Sequence, residues 1–373
     1  MSDDRIHPIV MPKWGLSMEE GKLSSWLADE GADIGPGDDI MEVETDKITN
    51  VVEATKTGVL RRRLGEEGVV YPVRALLGVL ADRNVAEDEI DAFVGTYDVP
   101  QASGRGDAAD AGPVYEFIET PSGRLRYAKR GESGAPVVLV HGFGGDLDNW
   151  LFNIDALAEV AKVCAFDLPG HGQSAKALPD GGLEGLARAL GQFMDGVGFD
   201  AAHLVGHSMG GAVVANLALS APERATSLTL IDSAGLGHAI NGDYISGFVG
   251  AQSRRELKPV LKDLFADPKL VNRKLVDDLL RYKRLDGVTE ALSDLAASLF
   301  AGGRQTTVLA GPLGRIECPR LVIWGGEDAV IPASDAYAVD GAVVEVVAGA
   351  GHMVQMEAAG KVNELIIRHL AGS

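Results

Sequence analysis

Between an apolar run and a helical segment the chain reads Gly206-His207-Ser208-Met209-Gly210-Gly211. The preceding run, Ala202-His203-Leu204-Val205, has the length and apolar character of a buried strand, and residues 211–219 carry a helical pattern. Glycines on both sides allow a turn too tight for ordinary side chains, and such a turn exposes the hydroxyl at its apex. A strand, a sharp turn and a helix are therefore expected in that order. Similar apolar runs occur at Pro136-Val137-Val138-Leu139-Val140, Val163-Cys164-Ala165-Phe166, Ser227-Leu228-Thr229-Leu230-Ile231 and Arg320-Leu321-Val322-Ile323-Trp324, with a further helical pattern over 183–197. Near-continuous apolar strands are those of a parallel sheet covered on both faces. Residues 114–373 are thus expected to form a doubly wound α/β domain, with a helical cap at about 237–310 inserted before the final strands.

A serine hydroxyl attacks carbonyls poorly until a base takes its proton, and the resulting imidazolium needs a carboxylate beside it. Two later motifs supply those groups in the chain order this turn type requires. Trp324-Gly325-Gly326-Glu327-Asp328 ends a strand and presents Asp328, and Gly349-Ala350-Gly351-His352-Met353 presents His352 on a glycine-rich loop. His141-Gly142-Phe143-Gly144-Gly145 follows the first long strand and can aim the Phe143 N–H at a developing oxyanion, with the Met209 N–H as second donor. Asp232, at the end of the strand after the turn helix, is the alternative acid, and Glu327 is expected to face solvent. His141, His171 and His207 read as structural residues within motifs. These motifs, together with Asp167-Leu168-Pro169-Gly170-His171-Gly172-Gln173-Ser174, resemble the α/β-hydrolases over roughly residues 114–371. In that family's terms Ser208 is the nucleophile, His352 the general base and Asp328 the residue that orients it.

The first 83 residues follow a different rule. Gly21-Lys22-Leu23, Leu27, Glu30 and Gly31 recur 37 residues later as Gly58-Val59-Leu60, Leu64, Glu67 and Gly68, and Ile40 matches Leu77. Both halves are short apolar runs cut by Gly and Pro, as strands and turns are. Two similar half-sheets burying one face between them make a small all-β flattened barrel or sandwich. Between the halves, Met41-Glu42-Val43-Glu44-Thr45-Asp46-Lys47-Ile48-Thr49-Asn50 alternates apolar and acidic residues up to a polar tip at Lys47. With Met11-Pro12-Lys13-Trp14-Gly15, this stretch resembles the lipoyl domains of 2-oxo acid dehydrogenase acyltransferases, over nearly all of residues 5–82. The resemblance implies covalent lipoate on Lys47. A biotin carrier would show Met on each side of its lysine, where this chain has Asp46 and Ile48.

Residues 84–113 read as a flexible acidic linker joining a lipoyl domain at 1–83 to the α/β domain. They carry one basic and seven acidic side chains, the highest acidic density in the chain. The second half is too poor in apolar residues to offset its conformational entropy by burial. Ile90, Phe93 and Val94 form an apolar island expected to pack back on the carrier. A formal net charge of −20 argues against nucleic acid and anionic membranes as partners. No apolar run is long enough for a membrane span, and the opening residues lack the apolar core of a signal peptide, so a cytoplasmic location is expected. Cys164 and Cys318 lie in separate apolar runs, outside any metal-binding spacing, so free thiols and no metal site are expected. From Arg254 to Arg284 ten basic residues face five acidic ones, a local excess of positive charge on an acidic chain that suits an anionic partner or an ordinary solvated face.

The combination resembles the dihydrolipoamide acetyltransferase (E2) components of bacterial acetoin dehydrogenase complexes. By that resemblance a thiamine-diphosphate E1 enzyme loads acetyl onto the lipoyl arm, the chain passes it to coenzyme A, and a flavin-dependent dihydrolipoamide dehydrogenase (E3) reoxidises the arm. Acyl transfer through Ser208, His352 and Asp328 is the expected chemistry. A hydrolase, either a thioesterase or a C–C bond cleaver, with the lipoyl arm as delivery device is the alternative. The third possibility is an assembly module in which the α/β domain docks partners. The chain lacks the His-x-x-x-Asp-Gly motif of the usual lipoyl acyltransferases and an evident subunit-binding domain. Acyl specificity, oligomeric state and the mode of E1 and E3 binding are therefore not written in the sequence.

Overall fold

The computed structural model describes residues 5–12, 18, 20–45, 49–54, 56–97 and 115–372. The chain divides into two units, residues 1–113 and 114–373.

In the first unit the strands are β1 Ile6–Val10, β2 Glu20–Trp26, β3 Asp33–Ile34, β4 Asp39–Glu44, β5 Thr49–Glu53, β6 Gly58–Arg63, β7 Val70–Pro72 and β8 Leu76–Ala81. They form two four-stranded antiparallel sheets, β1-β8-β6-β3 and β5-β4-β2-β7. The 37-residue repeat is physical, because equivalent residues make equivalent bonds across the two halves. The Glu30 carboxylate accepts the Arg63 N–H (2.6 Å), and Glu67 accepts the Trp26 N–H (2.8 Å). Gly31 donates to the Leu60 carbonyl (2.8 Å), and Gly68 donates to that of Leu23 (2.6 Å). Leu27 and Ala28 donate to Ile40 as Leu64 and Gly65 donate to Leu77. The alternation of each strand sends Met11, Leu23, Met41, Val43, Leu60 and Leu77 into a shared core with no exposed surface. Lys22 and Glu44 form an ion pair at 3.1 Å, and Ser25 donates to Glu42 at 2.7 Å, so the charges beside the carrier motif sit on the outer side of β2 and β4.

The stretch read as linker opens with a helix, α1 Glu87–Thr96. Ile90 is fully buried against Ile6, Val79, Ala81 and Val85, and Phe93 and Val94 pack onto the same cluster. Its acidic first turn has a purpose beyond solubility: Glu87 pairs with Arg61 and Arg62, Asp91 with Arg62 (3.2 Å) and Glu89 with Arg5 (3.1 Å). The expectation of a linker from residue 84 missed this helix because the acidic residues around Ile90, Phe93 and Val94 outweighed their i, i+3, i+4 spacing. Residues 98–113, the rest of that stretch, lie outside the described residues, as does Lys47.

The second unit has strands β9 Tyr115–Thr120, β10 Gly123–Arg130, β11 Ala135–Val140, β12 Ala161–Phe166, β13 Ala202–His207, β14 Ala225–Ile231, β15 Arg320–Gly325 and β16 Val343–Val347. One eight-stranded sheet runs β16-β15-β14-β13-β11-β12-β10-β9, parallel from β12 to β16 and antiparallel at β10 and β9. The central strands are apolar on both faces, as residues 137–140 with no exposed surface illustrate. Helices α2 Ile154–Ala158, α3 Leu183–Gly196 and α4 Met209–Ser220 follow β11, β12 and β13. Helices α5 Gly242–Gly250, α6 Arg254–Leu261, α7 Arg273–Lys283 and α8 Val288–Leu299, then the short α9 Ala310–Leu313, fill the interval between β14 and β15 and build the cap. Helices α10 Val354–Glu357 and α11 Ala359–Ala371 close the unit. No helix among the described residues is long and apolar enough to cross a membrane. From β11 the chain passes to β12 on one side and to β13 on the other. The loops after β11 and β13 therefore open side by side at a topological switch point, where open α/β sheets bind ligands.

Replacing Ile90 by Ala removes a fully buried side chain, which costs about 2–5 kcal/mol. Urea unfolding of the full chain should show the first unit's transition moving to lower urea and the second unit's staying in place. An unchanged first transition would mean that α1 is not part of the carrier core.

Candidate active site

Ser208 ends β13 and caps α4 with φ 52° and ψ −121°, a left-handed conformation that costs a non-glycine residue about 1–3 kcal/mol. The turn is enforced by close approach. A Cβ on Gly206 would lie 2.4 Å from the Gly210 carbonyl oxygen, and one on Gly210 would lie 2.2 Å from that of Val140. The Ser208 N–H donates to the Ile231 carbonyl at 2.9 Å, so β14 holds the turn from the other side.

His352 stands between Ser208 and Asp328. Its Nε2 lies 3.0 Å from Ser208 Oγ, and its Nδ1 lies 2.8 Å from Asp328 Oδ2. Because an ionised carboxylate only accepts, Nδ1 carries the proton and Nε2 is left to accept the serine's. Asp328 Oδ1 accepts the N–H groups of Val330 (2.7 Å) and Ile331 (2.9 Å), which fixes the carboxylate's rotation. All three side chains are nearly or wholly buried. Phe143 and Met209 flank the serine. Gly142 approaches so closely that a Cβ there would lie 2.9 Å from Ser208 Cβ. The Phe143 N–H has no acceptor among the described residues. Met209 opens α4, so its N–H has no intrahelical partner.

Asp232, the alternative acid, does not reach the histidine. Its carboxyl accepts Gly325 N–H (2.7 Å) and Val354 N–H (3.4 Å), and so ties the loop that carries Asp328 to the segment just after His352. Burial, with the Asp328 charge nearby, raises its pKa well above the usual carboxylate range. Glu327 is exposed. Two positioning groups lay beyond the sequence reading. Glu357 accepts Gly351 N–H and Ala266 N–H, each at 2.8 Å, joining the histidine loop to the cap. Arg126 forms a buried pair with Asp167 (2.7 Å), and Asp167 also accepts the N–H groups of Leu147 and Gln173. No local motif announces the bonds from Glu357 to Ala266 and from Arg126 to Asp167, because those partners are distant in sequence.

The other histidines brace loops. His141 Nε2 accepts the Leu168 N–H at 3.0 Å and its Nδ1 faces the Gly142 carbonyl at 2.8 Å. His207 Nε2 faces the His352 carbonyl at 2.7 Å. Donor atoms of His207, Asp232 and His352 lie within 4.8 Å of one another, the one cluster of metal-ligating type among the described residues. Most of its polar atoms already serve the bonds just described.

Burial keeps His141, His171 and His207 neutral, with His171 lowered to about 3. An unfolded histidine binds a proton below about pH 6.5, whereas these do not while folded, so the unfolded state gains protons first as pH falls. Each contributes a loss of up to about 1.4 kcal/mol per pH unit below that point. Asp232 has the opposite sign, since its raised pKa favours the folded state in acid. Burial raises Asp263, Asp335 and Glu357 in the same sense and lowers His203 and His369 with the other three, so five histidines stand against four carboxyls whose ordinary range lies below this window. Between pH 7 and 5 the urea midpoint of the second unit, followed by Trp150 and Trp324 fluorescence, should fall, and His171→Gln should flatten that slope. A pH-independent midpoint would contradict the assignment.

The α/β hydrolase fold family matches residues 135–359, and the biotin-requiring enzyme family, which covers biotin and lipoyl attachment domains, matches residues 7–75. The chain is 53% identical, over 98% of both chains, to the dihydrolipoyllysine-residue acetyltransferase component of the acetoin cleaving system of Cupriavidus necator. It is 50% identical to the component of the same name from Pseudomonas putida, over 98% of this chain and 99% of that one. Among solved structures, a mutant of a meta-cleavage product hydrolase aligns with a TM-score of 0.64 at 24% identity, over 69% of this chain and 98% of that one, a likeness of fold. With a lipoyl-type domain ahead of an α/β-hydrolase domain, and near-full-length identity of half or more to both relatives, this chain belongs to the dihydrolipoyllysine-residue acetyltransferase components of acetoin cleaving systems.

Proposed function

We propose that the chain receives acetyl groups on lipoate attached to Lys47 and transfers them to coenzyme A through an acyl-enzyme at Ser208. The observation that carries this reading is the hydrogen-bonded line from Ser208 through His352 to Asp328 beside two backbone donors. Support for attachment at Lys47 comes from the register around it. Glu44 pairs with Thr49, so only residues 45–48 join β4 to β5. A lysine in so short a connection, on a rigid two-sheet base, suits amide formation with lipoate. Bound lipoate would supply a dithiol that carries acetyl as a thioester.

In the first half-reaction Ser208 gives its proton to His352 Nε2, and Oγ attacks the thioester carbonyl. The N–H groups of Phe143 and Met209 stabilise the oxyanion, and Asp328 stabilises the imidazolium. As the C–S bond breaks, His352 returns the proton to the departing thiolate, leaving acetyl on Ser208. In the second, His352 takes the proton of the coenzyme A thiol, sulfur attacks the ester, and Ser208 leaves with that proton. The partners in this reading are a thiamine-diphosphate E1 that loads the arm and a flavin-dependent E3 that reoxidises it, all in the cytoplasm.

Water competes with coenzyme A for the same acyl-enzyme, and the hydrogen-bonded line itself serves either acceptor. The test is product partitioning by the lipoylated chain given S-acetyldihydrolipoamide with and without coenzyme A. Acetyl-CoA should form at the expense of acetate. Ser208→Ala and Asp328→Asn should each lose on the order of 10⁴-fold or more. Asp232→Asn should lose far less, because Asp232 makes no hydrogen bond to the imidazole and Asn still accepts one of its two backbone N–H bonds. Lys47→Arg should stop flux through the assembled system while leaving turnover of free S-acetyldihydrolipoamide intact. Acetate released at one rate regardless of coenzyme A would make the chain a hydrolase, and full activity in Ser208→Ala would remove the serine from the mechanism.

A further inference from the structure

The cap carries a basic cleft with no assigned role. It measures about 730 Å³ between α6 and α7, and Arg254, Arg255, Arg281 and Arg284 line it, with Leu280 as an apolar floor. A second lobe of about 420 Å³ shares Gln252, Leu280 and Arg284 with it, so the two are contiguous. Its acidic lining residue, Asp277, is already paired with Arg254. Arg255 and Arg284 are exposed and form no ion pair among the described residues. Arg281 pairs with Asp278 (2.8 Å), so Arg255 and Arg284 are the two lining guanidiniums whose charge is left unpaired, a local positive excess on a chain of net charge −20 that suits an anion.

The second lobe reaches toward the active site. Lys283, which lines it, buries its ammonium on the carbonyls of Phe248, Val249 and Ala251. That ammonium lies 5.2 Å from the centroid of the Phe248 ring. The Phe248 ring is in turn 5.9 Å from that of Phe143, whose N–H flanks Ser208. One aromatic layer thus separates the basic cleft from the oxyanion loop. A ligand with an anionic head in the cleft and a long uncharged arm leading to the serine fits this arrangement.

We propose that the cleft binds the phosphate-bearing nucleotide end of the acyl acceptor, its 3′-phosphate and diphosphate held by Arg255, Arg284 and their neighbours, while the thiol arm runs past Phe248 to Ser208. Guanidinium forks suit phosphate oxygens bidentately, and a recess of several hundred Å³ matches a nucleotide. The acidic carrier domain is the competing occupant, and the volume of several hundred Å³ lined by two unpaired guanidiniums favours a small phosphate-bearing ligand. This inference rests on coenzyme A being the acceptor.

The test uses the full chain with Arg255→Glu and Arg284→Glu combined, both at exposed positions, and with the milder Arg255→Gln/Arg284→Gln pair. Calorimetric titration with coenzyme A should show Kd weakened about tenfold or more in the Glu pair, and by less in the Gln pair. In turnover, KM for coenzyme A should rise similarly with kcat held, while KM for pantetheine, which has no phosphate, stays put. An unchanged Kd for coenzyme A overturns the proposal, as does failure of the unmodified chain to bind it. A raised KM for the acetylated lipoyl domain with coenzyme A binding intact also overturns it, since the cleft then docks the carrier. Binding is read without turnover, so a chain that binds coenzyme A through these arginines yet releases only acetate would refute the transferase reading and leave the cleft's assignment standing.

Discussion

The close passage of β11, β13 and α4 around Ser208 is the constraint on which the second unit depends. Backbone there comes within distances that exclude any side chain at Gly206 and Gly210, and the serine is forced into a left-handed conformation. Such strain persists only when the surroundings over-determine it. Here the fully buried strands β11 and β13 and an apolar α4 supply that determination. The strain is useful because it lifts Oγ out of the helix and toward His352, 3.0 Å away. The remaining site groups hang on neighbouring strand ends. Asp328 follows β15, His352 follows β16, and Asp232 at the end of β14 ties their loops together.

The carrier unit is held by another logic, that of internal symmetry. Each half closes its own strand pair by donating backbone bonds to the other, with Glu30 and Glu67 in matching roles. Neither half can bury Leu23 or Leu60 alone, so the two fold as one body. Strand β4 lies centrally in its sheet, between β2 and β5. Helix α1 extends the core of the first unit instead of leaving it.

Much of this was legible in the sequence, for identifiable reasons. Ser208, His352 and Asp328 stand in glycine-flanked motifs because tight turns leave few residue choices, and the structure brings the three together. The central strands were visible because burial on both faces makes them continuously apolar. By contrast, β9 and β10 carry charges such as Glu116, Glu119, Arg124 and Arg126 that break any continuous apolar run, and they read as no particular element. Strand β16 is apolar but for Glu345, half-exposed at the sheet's edge. Helix α1 was hidden by its acidic first turn, whose partners Arg61 and Arg62 lie across the carrier in another strand. Long-range pairs such as Arg126–Asp167 and Ala266–Glu357 leave no local trace, since nothing about either residue's neighbours requires the other.

In the proposed function the two units are joined by chemistry, a thioester made on one and resolved on the other through a serine ester, and such an ester can be caught. The lipoylated chain would be mixed with S-acetyldihydrolipoamide in the absence of coenzyme A, quenched within one turnover, and its peptides mapped by mass spectrometry. Acetyl on Ser208, formed as fast as steady-state turnover and discharged to acetyl-CoA on addition of coenzyme A, is the predicted result. Acetyl-CoA made at the full rate with Ser208 never acetylated would contradict it, and would mean direct transfer between the two thiols.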